Sequence, residues 1–237
     1  MRAIVLLVMM SLGCHAGLGW HLHKQRASLD TLPPLPNRAA MTAMSFGDMQ
    51  FLYRYLALEI QNAGDTGGRF TPMNTYDMPK VLAWLGALQF LDARSNHYIT
   101  LAVRYFSQLR TPADLRRLVD FIDRDVDLAP DRKWYWQTQA VAMARDGIKD
   151  LNYALELSRK LSRFAEYLPE GYSWVLGMEP VLLADLGRIG EAREGMERIL
   201  TNYGPRMTYY ERELTEKFFL QLNSWTIRRP LSGESPR

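Results

Sequence analysis

Three short stretches of this chain carry residue types that do chemistry elsewhere. In "DFIDRDVDLAPD" (residues 120–131), Asp123, Asp125 and Asp127 alternate as the oxygen ligands of a calcium loop do. Such a loop needs Gly at its sixth position and Glu at its twelfth, and counting from Asp123 those places hold Leu128 and Trp134. No calcium site is expected, and the run reads as an acidic helix end with solvated carboxylates. "GDTGGRF" (residues 64–70) invites an anion, because successive glycine amides beside Arg69 supply the parts of a nest. It lacks the Gly-Lys-Ser/Thr ending of a phosphate loop, so an inter-helix loop with left-handed glycines is the plainer reading. With "TPMNTYD" behind it, this is the longest loop of the body, and Asp65, Arg69 and Tyr76 are its candidate functional residues. In "RKWYWQ" (residues 132–137), helical neighbours point about 100° apart, so Trp134, Tyr135 and Trp136 cannot all enter one core. At least one should be partly exposed. Arg132, Trp134 and Trp136 are therefore candidates for gripping another protein, since Trp and Arg dominate interface energetics.

Other reactive types form no set. His15, His21 and His23 cluster near the N-terminus and His97 stands alone, with no carboxylate or thiolate group to complete a metal site. The one cysteine, Cys14, excludes an intramolecular disulfide. No catalytic residue, metal or cofactor is predicted. Lys and Arg exceed Asp and Glu by 29 to 26, a net charge of +3 that gives no footprint for nucleic acid.

The elements that must position these residues begin with "MRAIVLLVMMSLGCHAGLGW", one basic residue followed by an apolar run and then small residues. Residues 1–22 are expected to be a signal peptide or a single membrane anchor, with cleavage after Ala16, retention, and lipidation of Cys14 as the alternatives. Lys24 and Arg26 follow the run and leave the membrane orientation open. Residues 23–44, with Pro33, Pro34 and Pro36, predict an extended spacer. A helical body is expected over 45–223 and a flexible tail over 224–237.

Within the body, cap signals mark the helices. Ser45 with Asp48 resembles a capping box, and the near-continuous apolar run from Phe51 to Ile60 predicts a helix buried on most sides. Asp77, Thr111 and Asp150 are predicted N-caps, Pro79 and Pro112 fit first turns, and Thr208 with Glu211 makes a second capping box. Leu115, Leu118, Val119, Ile122 and Val126 form one stripe at three- and four-residue steps. Pro180 is placed to kink or divide its helix. About nine helices with short joints predict an all-α fold, and their alternation with tight turns suits a right-handed solenoid of about four antiparallel hairpins plus a terminal helix.

In "LGRIGEAREGMERIL" (residues 186–200), Gly187 is followed five residues later by Ala192, with Met196 and Ile199 at four and seven beyond that. This spacing resembles the second helix of a tetratricopeptide repeat, which places Gly at the inter-helix turn and a small residue where two helices touch. The resemblance is clearest over 183–205. It departs in the preceding helix, where only Leu183 matches, and Gly147 to Gly187 is longer than the roughly 34-residue period of the family. The resemblance implies packing roles for Gly187, Ala192, Met196 and Ile199, and a concave surface that binds another protein without cofactor. The expected function is thus a non-catalytic assembly scaffold, membrane-tethered or exported at the cell envelope, with the helical domain outside the cytoplasm. The alternative is an accessory or catalytic subunit of an envelope polymer-processing system, with its site around the 64–77 loop.

Overall fold

The computed structural model describes residues 2–23, 31–66, 69–108 and 111–228. The chain divides into two units, Met1–Pro34 and Leu35–Arg237. The first holds α1 (Arg2–His23), a helix apolar on every side. Its Ile4–His21 window has a mean hydropathy of 1.5, none of it is buried, and it is long and apolar enough to cross a membrane. His15 is spent locally, its Nδ1 lying 3.0 Å from the Ser11 carbonyl. Lys24 and Arg26 lie outside the described residues, as does the side chain of His23.

The second unit is all-α. It opens with α2 (Arg38–Met44), where an extended spacer is predicted. The prolines end at Pro36, Asn37 then caps by accepting from the Ala40 amide at 2.9 Å, and the alanine-rich sequence behind it favours helix. Ser45 is the C-cap of α2 rather than the start of α3 (Met49–Gln61). Asp48 caps α3 alone, accepting from the amides of Gln50 and Phe51 at 2.9 and 3.0 Å. Between them Phe46 holds φ at +49°, a left-handed conformation that costs a residue with a Cβ about 1–2 kcal/mol.

A two-residue antiparallel hairpin, β1 (Asp65–Thr66) and β2 (Arg69–Phe70), is the one strand pairing among the described residues. The helices that follow are α4 (Met78–Leu91), α5 (His97–Thr100), α6 (Pro112–Val126), α7 (Pro130–Ala142), α8 (Leu151–Ser162), α9 (Met178–Asp185), α10 (Ile189–Tyr203) and α11 (Tyr209–Arg228). α5 and α7 run on into π-helical turns at Leu101–Tyr105 and Met143–Ile148. The expected caps at Asp77, Thr111 and Asp150 hold, each accepting from an amide of its first turn. Thr208 and Glu211 exchange bonds reciprocally, the Thr208 amide donating to Glu211 and the Glu211 amide to Thr208 Oγ1. The stripe on α6 is buried as expected. Near Pro180 the division falls earlier, where a 3₁₀ segment (Ser173–Gly177) gives way to α9 at Met178. α11 continues through 224–228, so the predicted tail is shortened, and residues 229–237 lie outside the described ones. Each of α6 to α11 packs on the next in the chain, and α4 joins α3 to α6.

Candidate functional site

The loop after α3 is closed by its own side chain. The Tyr76 hydroxyl donates to the Ala63 carbonyl at 2.5 Å, and its ring lies 6.4 Å from that of Phe106. Gly64 sits at φ +82°, and a Cβ there would lie 2.0 Å from the Tyr76 oxygen, so only glycine lets the phenol reach its acceptor. Burial raises the Tyr76 pKa, with Tyr105 and Asp65 adding to it, and the group stays a neutral donor. Tyr76 is thus a buried latch. Asp65 stands exposed on β1 opposite Phe70, and Arg69 supplies backbone to β2, while Gly67, Gly68 and the Arg69 side chain lie outside the described residues.

The aromatic cluster inverts the expected roles. Trp134 and Trp136 are only 8% and 9% exposed, whereas Tyr135 is the open member at 36%. Trp134 packs edge-on to Tyr172 at 5.1 Å, and Trp136 Nε1 donates to Asn96 Oδ1 at 3.2 Å. Neither tryptophan offers a free face to a partner. Arg132 is exposed beside Asp131 at 3.7 Å. Such a pair contributes little to stability.

Between Arg132 and Trp134 stands a residue that the sequence reading passed over. Lys133 is fully buried, its Nζ 2.9 and 2.8 Å from the two oxygens of Asp125 and 2.6 Å from the Tyr98 hydroxyl. Tyr98 donates to Asp125 Oδ1 at 2.7 Å and Gln89 Nε2 to the same atom at 2.6 Å, so the carboxylate is saturated. Burial, then the hydrogen bond to Asp125, pushes the Tyr98 pKa far up. This corrects the reading of the acidic run as solvated carboxylates at Asp125, while Asp127 and Asp131 stay exposed as expected. Asp125 is enclosed, Asp123 accepts from Lys160 at 2.9 Å and Gln137 at 2.8 Å, and Asp127 meets Lys160 at 2.8 Å. The lysines thus offset the unfavourable placement of acids at a helix C-terminus. A signal was present: Asp125 is in phase with the apolar Leu118 and Ile122, and Lys133 with Gln137, Ala140 and Ala144.

The repeat-like stretch also changes its explanation at one position. Gly187, at φ +76°, follows α9; its amide donates to Ala184 O at 2.9 Å and the Arg188 amide to Leu183 O at 2.8 Å. That is a Schellman cap, and a Cβ on Gly187 would meet nothing within 4 Å, so backbone conformation and not packing calls for glycine. The close approach lies instead at Gly195, where a Cβ would come within 3.2 Å of Pro180 Cγ. Ala192 and Met196 are buried as the spacing requires.

These helices leave an opening. A groove of 390 Å³ lies among the end of α7, its π turn, α9, α10 and α11, lined by Val141, Trp174, Met178, Val181, Met196, Leu214 and Phe218. Its polar groups are already committed. Glu211 accepts from Thr208 and from the Trp174 amide, and Arg145 pairs with Asp185 at 2.8 Å. Trp174 and Leu214 are 44% and 48% exposed at its edge. What remains available is hydrocarbon surface. Among the described residues no group of three His, Cys, Asp or Glu side chains is placed to hold a metal.

No protein-family model, curated protein or solved structure matches this chain.

Proposed function

We propose that this protein is a tetratricopeptide-like scaffold of helical hairpins, tethered at or exported to the cell envelope, that binds another polypeptide. The groove among α9, α10 and α11 carries this reading. It is concave, largely apolar, and formed by the hairpin in which the repeat spacing is clearest. An occupant of matching chemistry is an amphipathic helix that lays apolar side chains between Trp174 and Leu214. The gripping residues are then those of the groove, in place of Trp134 and Trp136. The apolar α1 supports the membrane setting.

A photo-crosslinking residue at Leu214 of the full chain, activated in membranes, tests the reading. One polypeptide partner should be captured stoichiometrically, and Val181→Arg should weaken capture by about 30-fold, the equivalent of about 2 kcal/mol at an interface hot spot. Undiminished capture by Val181→Arg would place the partner elsewhere.

A further inference from the structure

α3 is apolar on two opposite faces. Leu52, Leu56 and Ile60 are buried, while Phe51, Tyr55 and Leu58 stay 51%, 43% and 57% exposed. Steps of four and three residues bring those three side chains into one stripe, flanked by Arg54 and Glu59. Phe46, 89% exposed, stands just ahead of them on its left-handed turn. α6 shows the ordinary alternative, one buried apolar stripe with Arg116, Arg117 and Arg124 outward.

We propose that the exposed stripe of α3 lies in the interface of a lipid bilayer, the one that holds α1. The proposal rests on α1 being retained as a membrane span. Residues 22–34 join the apolar window to the helical body and reach at most about 45 Å, so a retained α1 tethers the body within reach of that membrane. Phe and Tyr suit interfacial depth, and a helix with apolar residues on its outer face lies in the membrane plane. A second copy of this chain is a poorer occupant. The stripe exposes on the order of 300 Å², against roughly 800 Å² per partner in a stable dimer.

The test uses the full chain in phosphatidylcholine–phosphatidylglycerol vesicles, with Cys14→Ser and a single environment-sensitive label at Leu58→Cys or, for comparison, Leu128→Cys. Leu128 is equally exposed, at 60%, on a different helix end. The label at 58 should emit at shorter wavelength than at 128 and lose most of its intensity to nitroxide-bearing lipids. Equal, water-like emission at both positions would overturn the proposal. So would a label at 58 that is shielded from lipid nitroxides and crosslinks to position 58 of another copy, which would assign the stripe to a dimer. Alkaline carbonate extraction is read separately: release of the chain defeats the span reading itself, whatever the label reports.

Discussion

The centre of the body and its C-terminal helices handle buried surface in opposite ways. Around α5, α6 and α7 even the charges are sealed in, with Lys133, Asp125 and Tyr98 satisfying one another at no more than 3 Å. Among α9, α10 and α11 the polar groups close their own circuits, and apolar side chains line a 390 Å³ opening. A saturated polar cluster has no valence left for a ligand. An open apolar groove gains by being covered. The difference suits the first region to rigidity and, on the function proposed above, the second to recognition.

The largest effect should come from removing one member of the sealed cluster. Lys133→Met leaves Asp125 buried without its counter-charge and should lower unfolding free energy by roughly 3–5 kcal/mol in urea denaturation. The double variant with Asp125→Leu should recover more than half of that. A loss no smaller in the double variant would mean that packing, and not charge, sets the cost. In the open region the effect on stability is far smaller. Leu214→Arg should change stability by no more than about 0.5 kcal/mol, because that residue is half exposed, yet abolish partner capture by a crosslinking residue placed instead at Trp174 on the groove's edge. A cooperative loss of folding there would erase the distinction between the regions.

A smaller effect follows from pH. Burial holds the pKa of Tyr98 and of Tyr153 well above the ordinary 10.0, each helped by the carboxylate it donates to. Above pH 10 the unfolded chain releases these protons and the folded chain keeps them. Their contribution is therefore full below that pH and falls as pH rises, by at most about 1.4 kcal/mol per unit for each phenol. Thermal melts from pH 9 upward should show the decline, and Tyr153→Phe should make it shallower. Least of all, Lys149→Gly relieves a left-handed residue at φ +62° between the π turn and α8, and should stabilise the central region by about 1 kcal/mol. No rise in melting temperature would show that the turn tolerates lysine without strain.

The sequence announced helix ends better than it announced surfaces. Asp77, Thr111, Asp150 and the Thr208–Glu211 pair act through bonds to amides within three residues, so local spacing suffices to find them. The helix over 38–44 stayed hidden because the prolines ahead of it pointed to a spacer. The π turns at Leu101–Tyr105 and Met143–Ile148 have no residue signature at all. The reading of 51–60 as buried on most sides missed that its neighbours cover only one face, which periodicity cannot report. Lys133 was the costliest omission. A lysine beside an arginine reads as solvated, and only its phase with Gln137 and Ala140 betrays it.

The Lys133–Asp125 contact also has a mechanical meaning. A helix packed through hydrocarbon alone can roll or slip by one ridge at modest cost. α7 cannot, since any such movement would strand two ions in a medium that solvates neither. Val141 and Arg145 stand farther along the same helical run, roughly 18 Å from Lys133 at the latter, and form one wall of the groove. The buried pair therefore acts as a detent: it sets the angle at which that wall of the groove stands.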